Sequence, residues 1–324
     1  MTNTSTFSEK ITHALEAWDF SGQPVELYEP ISYILQLGGK RLRPQLTLHA
    51  CHLYTDHVDP AVLPAIGVEV FHNFTLMHDD IMDQAPTRRG KETVHQRWNA
   101  NVAILSGDTM LVKAYELIMK APDKNLRAVL EYFNKCAVEV CEGQQIDMNF
   151  ENNADVAVAD YLEMIRLKTA VLLGYALRLG AMIGGAGRED SDYIDRFGQQ
   201  VGVGFQLKDD LLDVYGDSDK VGKQQGGDII ANKKTYLLIK ALQHADQNQS
   251  EELKKWLSAK DFDPKEKVAA VKNIYDELKI ASVTQKEMNH HFEKGFDYLH
   301  RLQCDSGKRK ELEDFSYALI NREK

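Results

Sequence analysis

Helical periodicity is the feature of this 324-residue sequence that most restricts its fold. Within residues 61–83, apolar side chains stand at Val70, Phe74, Met77 and Ile81, three or four positions apart. That spacing puts an apolar stripe on one helix face, whereas a half-buried strand alternates every second residue. The pattern recurs in NLRAVLEYFNKCAVEVCEGQQIDMNF, DYLEMIRLKTAVLLGYALRLGAMIGG and DYIDRFGQQVGVGFQLKDDLLDVYGD, none of which holds a two-residue hairpin signal. The sequence predicts an all-α fold of roughly ten or more helices.

Composition and charge exclude several classes of function. With 43% apolar and 27% charged residues the chain is globular, and its net charge of −10 argues against general nucleic-acid binding. Its 4 cysteines form no CxxC pair, so neither a zinc site nor a disulfide framework is expected. The amino terminus lacks a signal-peptide pattern, and no apolar run approaches the ~18 residues of a membrane span. We expect a cytoplasmic protein with one domain over residues 1–324.

Two aspartate motifs of the form D-D-x-x-D lie in these helical segments, at residues 79–83 and 209–213. Positions four apart share a helix face, so the first and last aspartate of each motif point the same way. Like charges at that spacing destabilise a helix by a few tenths of a kcal/mol, which calls for a cation. Carboxylate oxygens are ligands that Mg²⁺ prefers. A solvated acidic helix end explains one such motif, but two in apolar surroundings favour metal binding.

Two adjacent arginines, Arg88 and Arg89, follow the first motif. A carboxylate-bound Mg²⁺ attracts phosphate, and guanidinium groups take up the remaining negative charge of the phosphate bidentately. The chain has neither a P-loop nor a GxGxxG turn, so the phosphate-containing ligand is not expected to be a nucleotide. The pattern therefore predicts a metal–diphosphate site.

The order of these motifs resembles that of the trans-isoprenyl diphosphate synthase family, the short-chain prenyltransferases that make farnesyl and geranylgeranyl diphosphate. The resemblance covers nearly the whole chain and is carried by GGKRLRP (38–44), HDDIMDQAPTRRG (78–90), KTA (168–170), GFQLKDDLLDVYGD (204–217) and GKQQGGDIIANKKTY (222–236). It implies a helical bundle around a central cavity, a homodimer, and about three Mg²⁺ ions per active site.

The resemblance also implies a role for each matching residue. Two Mg²⁺ ions would be held by Asp79 and Asp83, and a third by Asp209. The diphosphate of the allylic substrate would be bound by Arg88, Lys168, Lys223 and Lys233. The diphosphate of isopentenyl diphosphate would be bound by Lys40, Arg43, His72 and Arg89. Developing positive charge would be faced by Thr169 and Gln206.

The implied reaction begins with metal-assisted ionisation of the allylic diphosphate. The double bond of isopentenyl diphosphate then attacks the allyl cation, and a proton leaves to the departing diphosphate. No nucleophilic serine or cysteine is required, and the sequence suggests no triad.

Product length is expected to depend on the residues just before Asp79. At 1.5 Å per residue, Phe74 and Thr75 lie roughly 6–8 Å along the helix from that aspartate, facing the cavity for the growing tail. A phenylalanine there forms a floor, a role compatible with core packing, and Phe71 adds bulk one turn further. By resemblance, one phenylalanine at the fifth position and a small residue at the fourth favour the twenty-carbon product over the fifteen-carbon one.

Several alternatives stay open. A farnesyl diphosphate synthase shares every motif, whereas a class I terpene cyclase needs no second diphosphate site and a catalytically inactive partner subunit would lose one aspartate motif. A metal-dependent phosphohydrolase would need further metal-binding histidines. His72 alone would suit a core position, Lys40 and Arg43 an exposed helix start, and Arg322 either a frayed terminus or a group closing over the second substrate.

Overall fold

The computed structural model describes residues 3–151, 153, 155–216 and 226–321. Its helices are α1 (Asn3–Ala17), α2 (Val25–Gln36), α3 (Leu42–His52), α4 (Asp59–Met82), α5 (Val94–Arg97), α6 (Ala100–Ile118), α7 (Asp123–Glu151), α8 (Val158–Ile165), α9 (Val171–Gly184), α10 (Arg188–Tyr215), α11 (Gly227–Ile230), α12 (Tyr236–His244), α13 (Gln247–Ser258), α14 (Pro264–Glu277), α15 (Ile280–His300) and α16 (Ser306–Ile320). A π-helical turn, Arg166–Ala170, joins α8 to α9. The all-α prediction is confirmed.

Side-chain caps explain where several helices begin. The Asn99 carboxamide oxygen accepts a hydrogen bond from the Val102 amide at 2.9 Å at the start of α6. Asp246 caps α13 by accepting from the Gln249 amide at 2.9 Å, and the Gln249 side chain completes the capping box. Such caps satisfy amide groups that have no partner within the helix. Local sequence therefore sets these boundaries before any tertiary contact forms.

A small hairpin interrupts the predicted loop after the first aspartate motif. Strands β1 (Thr87–Arg88) and β2 (Lys91–Glu92) pair antiparallel, with Arg88 opposite Lys91. Arg89 and Gly90 form its two-residue turn, and both have positive φ, 53° and 73°. That conformation suits a type I′ turn, for which arginine is an unusual first residue. The sequence gives no signal for this turn, because arginine has no preference for the left-handed conformation that Arg89 adopts.

The described contacts divide the chain into two compact units. The first contains Met1–Lys135, Tyr175–Asp195 and Leu302–Phe315; the second contains Cys136–Gly174, Arg196–Arg301 and Ser316–Lys324. In the first unit, a buried aromatic group surrounds Phe133, whose ring meets those of Phe71, Tyr115 and Tyr175. In the second, α12, α13 and α14 bury a cluster that includes Leu237, Leu253 and Tyr275. One domain over residues 1–324 stays a prediction.

One helical segment, Val158–Gly184, is long and apolar enough to span a membrane by length and mean hydropathy among the residues described. The π-helical turn lies within it, and 78% of its apolar window is buried inside the protein. Burial of that extent is what a core helix shows.

A buried histidine connects the amino-terminal helix to the first unit. The His49 side chain is 2% exposed and stacks on Phe315 with ring centroids 4.6 Å apart, while Phe7 of α1 meets it edge-on. Burial, with a smaller contribution from the neighbouring His52, lowers the pKa of His49 to about 4. Because the unfolded chain takes up a proton near pH 6.5 and the folded chain does not, the free energy of unfolding falls as the pH drops between those values.

The variant His49→Gln should therefore lose less stability on acidification than the wild type. From the pKa shift, the difference in unfolding free energy between the two proteins should change by about 2 kcal/mol, in favour of the variant, between pH 7 and pH 4.5. Urea denaturation at both pH values measures it. His13→Gln, which changes an exposed histidine of α1, is the control and should keep the wild-type pH dependence. Identical pH dependence in all three proteins would contradict the assignment.

Candidate active site

The first aspartate motif closes helix α4. The amide of Asp83 donates to the Asp79 carbonyl at 2.8 Å, so the helical turn continues through Asp83 and both side chains lie on one face. Asp80 points inward and is 2% exposed. These three carboxylates stand where the helix carbonyl groups already concentrate negative charge. The motif therefore needs cations close by.

Arg88 supplies one of those cations. Its Nε lies 2.8 Å from Asp80 Oδ2, and its Nη2 lies 3.6 Å from Asp79 Oδ2. Burial raises the pKa of Asp80, and the hydrogen bond and charge of Arg88 act in the opposite direction. The hairpin holds Arg88 in place, since Thr93 at its base donates to the Ala85 carbonyl at 2.7 Å. The middle aspartate is thus paired with Arg88, and Asp79 and Asp83, which the sequence predicts to bind metal, are the outer members of the motif.

A basic cluster lies in the same unit, around the turn between α2 and α3. Gly38 and Gly39 have φ of 81° and 132°, and Lys40 follows them at the surface. The Arg89 guanidinium donates to the Gly38 carbonyl, and a Cβ on Gly39 would lie 2.9 Å from Arg89 Nη2. The positive φ of Gly39 favours glycine, because L side chains rarely adopt that conformation. Partial desolvation and the charges of Arg41 and Arg88 lower the pKa of Arg89.

His72 of α4 belongs to this cluster. Burial holds its pKa well below the ordinary value, and the positive charges of four arginines lower it further. Those arginines are Arg43, Arg89, Arg88 and Arg41. The imidazole is therefore neutral near pH 7, and one ring nitrogen donates a hydrogen bond while the other accepts one. Lys40, Arg43, His72 and Arg89 were predicted from sequence to bind one diphosphate, and all are part of the first unit.

The second aspartate motif lies near the end of α10, in the second unit. Asp209 is exposed, whereas Asp210 is 3% exposed and accepts hydrogen bonds from the Tyr161 hydroxyl and, at 3.3 Å, from Gln206 Nε2. Burial raises the pKa of Asp210 to about 7. Asp213 Oδ2 accepts from the Asp228 amide at 3.0 Å. The motif thus repeats the arrangement of the first: the outer aspartates on one face, the middle one buried.

The π-helical turn carries Lys168 and Thr169. Lys168 Nζ lies 2.7 Å from Asp147 Oδ2 of α7, and Thr169 Oγ1 lies 3.5 Å from Gln206 Oε1. Two glycines allow neighbouring helices to approach this turn. A Cβ on Gly143 of α7 would lie 2.2 Å from the Lys168 amide nitrogen, and one on Gly202 of α10 would lie 2.7 Å from Ala170 Cα.

Of the predicted motif at residues 222–236, the structure describes residues 226–236. Lys233 is exposed and follows Asn232, whose φ is 56°. The Lys233 backbone amide donates to the Asp228 carbonyl at 2.9 Å. Lys223 and Arg322 lie outside the described residues.

The residues expected to control product length lie along α4. Phe74 is 9% exposed, and its ring contacts those of Phe71 at 5.6 Å and His78 at 4.8 Å between centroids. Thr75 donates from its hydroxyl to the His72 carbonyl at 2.8 Å. Phe71 in turn meets Phe133 at 5.1 Å. A phenylalanine held between two rings has little freedom to change rotamer, as a floor requires.

The carboxylates suit magnesium but do not form a complete cage. Across residues 3–151, 153, 155–216 and 226–321, no three His, Cys, Asp or Glu side chains are close enough to hold a metal ion by themselves. Mg²⁺ usually takes one or two carboxylates and fills its remaining positions with water and substrate phosphate. Asp79 and Asp83 place their carboxylate oxygens on one helix face, which is compatible with this mode of Mg²⁺ coordination.

Several functional contacts gave no clear signal in the sequence. Each of these contacts joins two residues that are far apart in the chain. The pairs are Glu69 with Arg41, Asp147 with Lys168, and Tyr161 with Asp210. The spacing of Gly143 and Asp147, four apart in one helix, could have suggested a shared face.

Comparison with known proteins gives consistent matches. A family model described as polyprenyl synthetase matches residues 24–278. The chain is 39% identical over 223 residues to a geranylgeranyl diphosphate synthase of Methanosarcina mazei, covering 68% of this chain and 69% of the relative. It is 37% identical over 239 residues to a geranylfarnesyl diphosphate synthase of Natronomonas pharaonis, covering 68% and 70%. A crystal structure of a geranylgeranyl pyrophosphate synthase superposes with a TM-score of 0.94 at 41% identity, covering 99% of each chain.

Substitution of Gly143 tests the importance of the π-helical turn. In Gly143→Ala the new methyl group meets the backbone of Lys168, so we expect a loss of about 1–3 kcal/mol in unfolding free energy. Displacement of the Lys168 ammonium should also weaken binding of inorganic pyrophosphate with Mg²⁺ about tenfold in calorimetry. Glu142→Ala, at the exposed neighbouring position, is the control. Unchanged pyrophosphate affinity in a folded Gly143→Ala protein would contradict this account.

Proposed function

Since this chain belongs to the polyprenyl synthetase family and is a prenyltransferase, we propose that it condenses isopentenyl diphosphate with an allylic diphosphate to give geranylgeranyl diphosphate. The observation that carries the proposal is the presence of two aspartate motifs together with a separate basic cluster around His72. One diphosphate needs the metal-binding carboxylates, and a second needs cations alone. A class I terpene cyclase has no use for that second group.

The proposed first step is ionisation of the allylic substrate. Asp79 and Asp83, and Asp209 separately, would hold Mg²⁺, which stabilises negative charge on the leaving diphosphate as a Lewis acid. Arg88, Lys168 and Lys233 would donate charge-assisted hydrogen bonds to the same oxygens. Arg88 is positioned by Asp80, and Lys168 by Asp147. These fixed cations stabilise the charge that develops as the carbon–oxygen bond breaks.

The second substrate would be held by Lys40, Arg43, Arg89 and the neutral His72. Since burial and the surrounding arginines keep a proton off His72, the imidazole can donate a hydrogen bond to a diphosphate oxygen without adding a further positive charge. The side-chain oxygens of Thr169 and Gln206, which lie 3.5 Å apart, would face the allyl cation. Oxygen atoms stabilise that cation without attacking it, which a cysteine or amine at the same place would do.

Product length is the finer part of the proposal. Phe74 supports a twenty-carbon product because its ring is fixed between Phe71 and His78. Thr75, one position nearer to the motif, is small and leaves the space that a second aromatic ring would fill. Relatives at similar identity are named for twenty-carbon and for twenty-five-carbon products. Farnesyl diphosphate, with fifteen carbons, is the competing product.

The test is an incubation of the protein with Mg²⁺, isopentenyl diphosphate and, separately, dimethylallyl, geranyl and farnesyl diphosphate. After dephosphorylation, the twenty-carbon alcohol should dominate, and Phe74→Ala should shift about half or more of the product to longer chains because the floor is removed. Phe7→Ala, which removes a buried ring on α1, is the control and should leave product length unchanged. A fifteen-carbon end product would support the proposed reaction but contradict the proposed twenty-carbon length. A cyclic hydrocarbon product would support a class I terpene cyclase.

An exposed apolar face on α6 supports the proposed homodimer. Leu105, Val112 and Met119 are 59%, 58% and 53% exposed and stand seven residues apart, which aligns them on one side of the helix. Ile104, 42% exposed, widens the face. A second copy of the chain would cover these side chains by two-fold symmetry. The cytoplasmic location expected from the sequence stays a prediction.

The double variant Leu105→Lys/Val112→Lys should be a monomer, because burying two ammonium groups without partners costs several kcal/mol. Light scattering coupled to size-exclusion chromatography gives the mass directly. Thr12→Lys, which places a charge at an exposed position of α1, should leave the mass at twice 36.8 kDa. A wild-type protein that elutes at the monomer mass would reject the dimer.

A further inference from the structure

The turn that carries Lys40 is connected to helix α4 by a buried ion pair. Arg41 Nη1 lies 2.7 Å from Glu69 Oε1, and the two side chains are 15% and 3% exposed. The same guanidinium donates through Nη2 to the Leu35 carbonyl near the end of α2. Arg41 therefore joins α2, α4 and the start of α3. Such a pair is costly to break from one side, because the remaining charge is left buried.

Asn73 fixes the orientation of the Glu69 carboxylate. It is 0% exposed, and its Nδ2 donates to the Glu69 carbonyl at 2.8 Å and to Glu69 Oε1 at 3.3 Å. A carboxylate held by both a guanidinium and an amide has one orientation rather than several. Glu69 lies three residues before His72 on α4, so the two side chains are neighbours on the helix surface.

The backbone conformation of the turn depends on the same contact. Arg41 has φ of 48° and ψ of 43°, which is the left-handed region that L residues adopt at a cost. It follows two glycines that also have positive φ, and it directly precedes α3. A strained conformation persists when surrounding contacts hold it. The bonds from Arg41 to Glu69 and Leu35 are such contacts, and they determine the direction in which Lys40 leaves the turn.

Charge balance assigns Glu69 a second role. Arg41, Arg43, Arg88 and Arg89 all lie close enough to His72 to lower its pKa. Arg88 is balanced by Asp79 and Asp80, and Glu69 is the carboxylate paired with Arg41. Glu69 also acts on Arg89, whose pKa it raises against the effects of desolvation and the neighbouring arginines. The arginines of the cluster repel one another before substrate arrives. The buried negative charge of Glu69 therefore reduces that repulsion.

We propose that Arg41 and Glu69 are positioning residues for the second diphosphate site. Neither is assigned to touch substrate; together they hold Lys40, Arg43 and Arg89 in the geometry that binds the diphosphate of isopentenyl diphosphate. The inference depends on the proposed function, because it takes that diphosphate as the ligand of the cluster. Arg41 is thus an arginine of the GGKRLRP motif with a different task from Arg43, two residues along.

The decisive variant is the double substitution Arg41→Met/Glu69→Gln. It removes the pair without changing the net charge, so loss of positioning is separated from a change in the electrostatic field. We expect the KM for isopentenyl diphosphate to rise about tenfold, because displaced cations form poorer charge-assisted hydrogen bonds. The KM for the allylic substrate and kcat at saturation should stay within about twofold of wild type. Calorimetric binding of isopentenyl diphosphate alone should weaken by the same factor.

A second ion pair in the same unit provides the matched control. Arg178 is 5% exposed in its side chain, and its Nη1 lies 3.0 Å from Asp195 Oδ2. The charge-balanced double variant Arg178→Met/Asp195→Asn should lower the melting temperature without a selective change in either KM. If Arg41→Met/Glu69→Gln behaves in that same way, or raises both KM values equally, the positioning role is rejected.

Arg41→Lys decides the matter if the double variant does not fold. Lysine keeps the charge, but it has one nitrogen in place of the planar fork whose Nη1 and Nη2 contact Glu69 and the Leu35 carbonyl at the same time. We expect an increase of about threefold in the KM for isopentenyl diphosphate alone; an unchanged value would overturn the inference. Failure of the proposed function is distinguishable, because the wild-type protein would then form no condensation product at all.

Discussion

Negative charge near the carboxyl-terminal end of a helix is the constraint that the two aspartate motifs share. Asp79 and Asp83 close α4, and Asp209 and Asp213 stand in the last two turns of α10, where the helix carbonyl groups already disfavour anions. The middle aspartate of each motif is buried, so that it cannot be relieved by water. Arg88 relieves the first motif, and Tyr161 with Gln206 relieves the second by hydrogen bonding. Among the outer carboxylates, those of Asp79, Asp83 and Asp209 are the ones proposed to bind divalent cations.

In the basic cluster around His72 the problem is repulsion between positive charges. Positive groups that repel one another must be brought together before a diphosphate arrives to neutralise them. The protein does so with a buried carboxylate at Glu69 and a histidine that stays neutral at His72. It also places two arginines, Arg41 and Arg89, in left-handed backbone conformations that direct their side chains toward the cluster. The free energy for this arrangement comes from packing elsewhere in the unit.

The sequence predicted the helices and both aspartate motifs because those features are local. Periodicity within one segment is enough to place Asp79 and Asp83 on one face, and the arginine pair follows within a few residues. The ion pair of Arg41 with Glu69 could not be predicted, because 28 residues separate its members. The π-helical turn was missed for a similar reason: the glycines that permit it, Gly143 and Gly202, belong to other helices. Left-handed Arg89 was missed because arginine has no preference for that conformation.

Helix α4 and its C-cap carry the carboxylates proposed to bind metal, His72 and the proposed floor at Phe74 on one continuous backbone. Their separations are therefore fixed by helix geometry, at 1.5 Å of rise and 100° of rotation for each residue. Insertion of a single residue between Phe74 and Asp79 would lengthen the interval by only 1.5 Å but would rotate the ring about 100° away from its present direction. Exchange of the side chain at position 74 would instead change the size of the ring at constant register and leave the backbone of α4 in place.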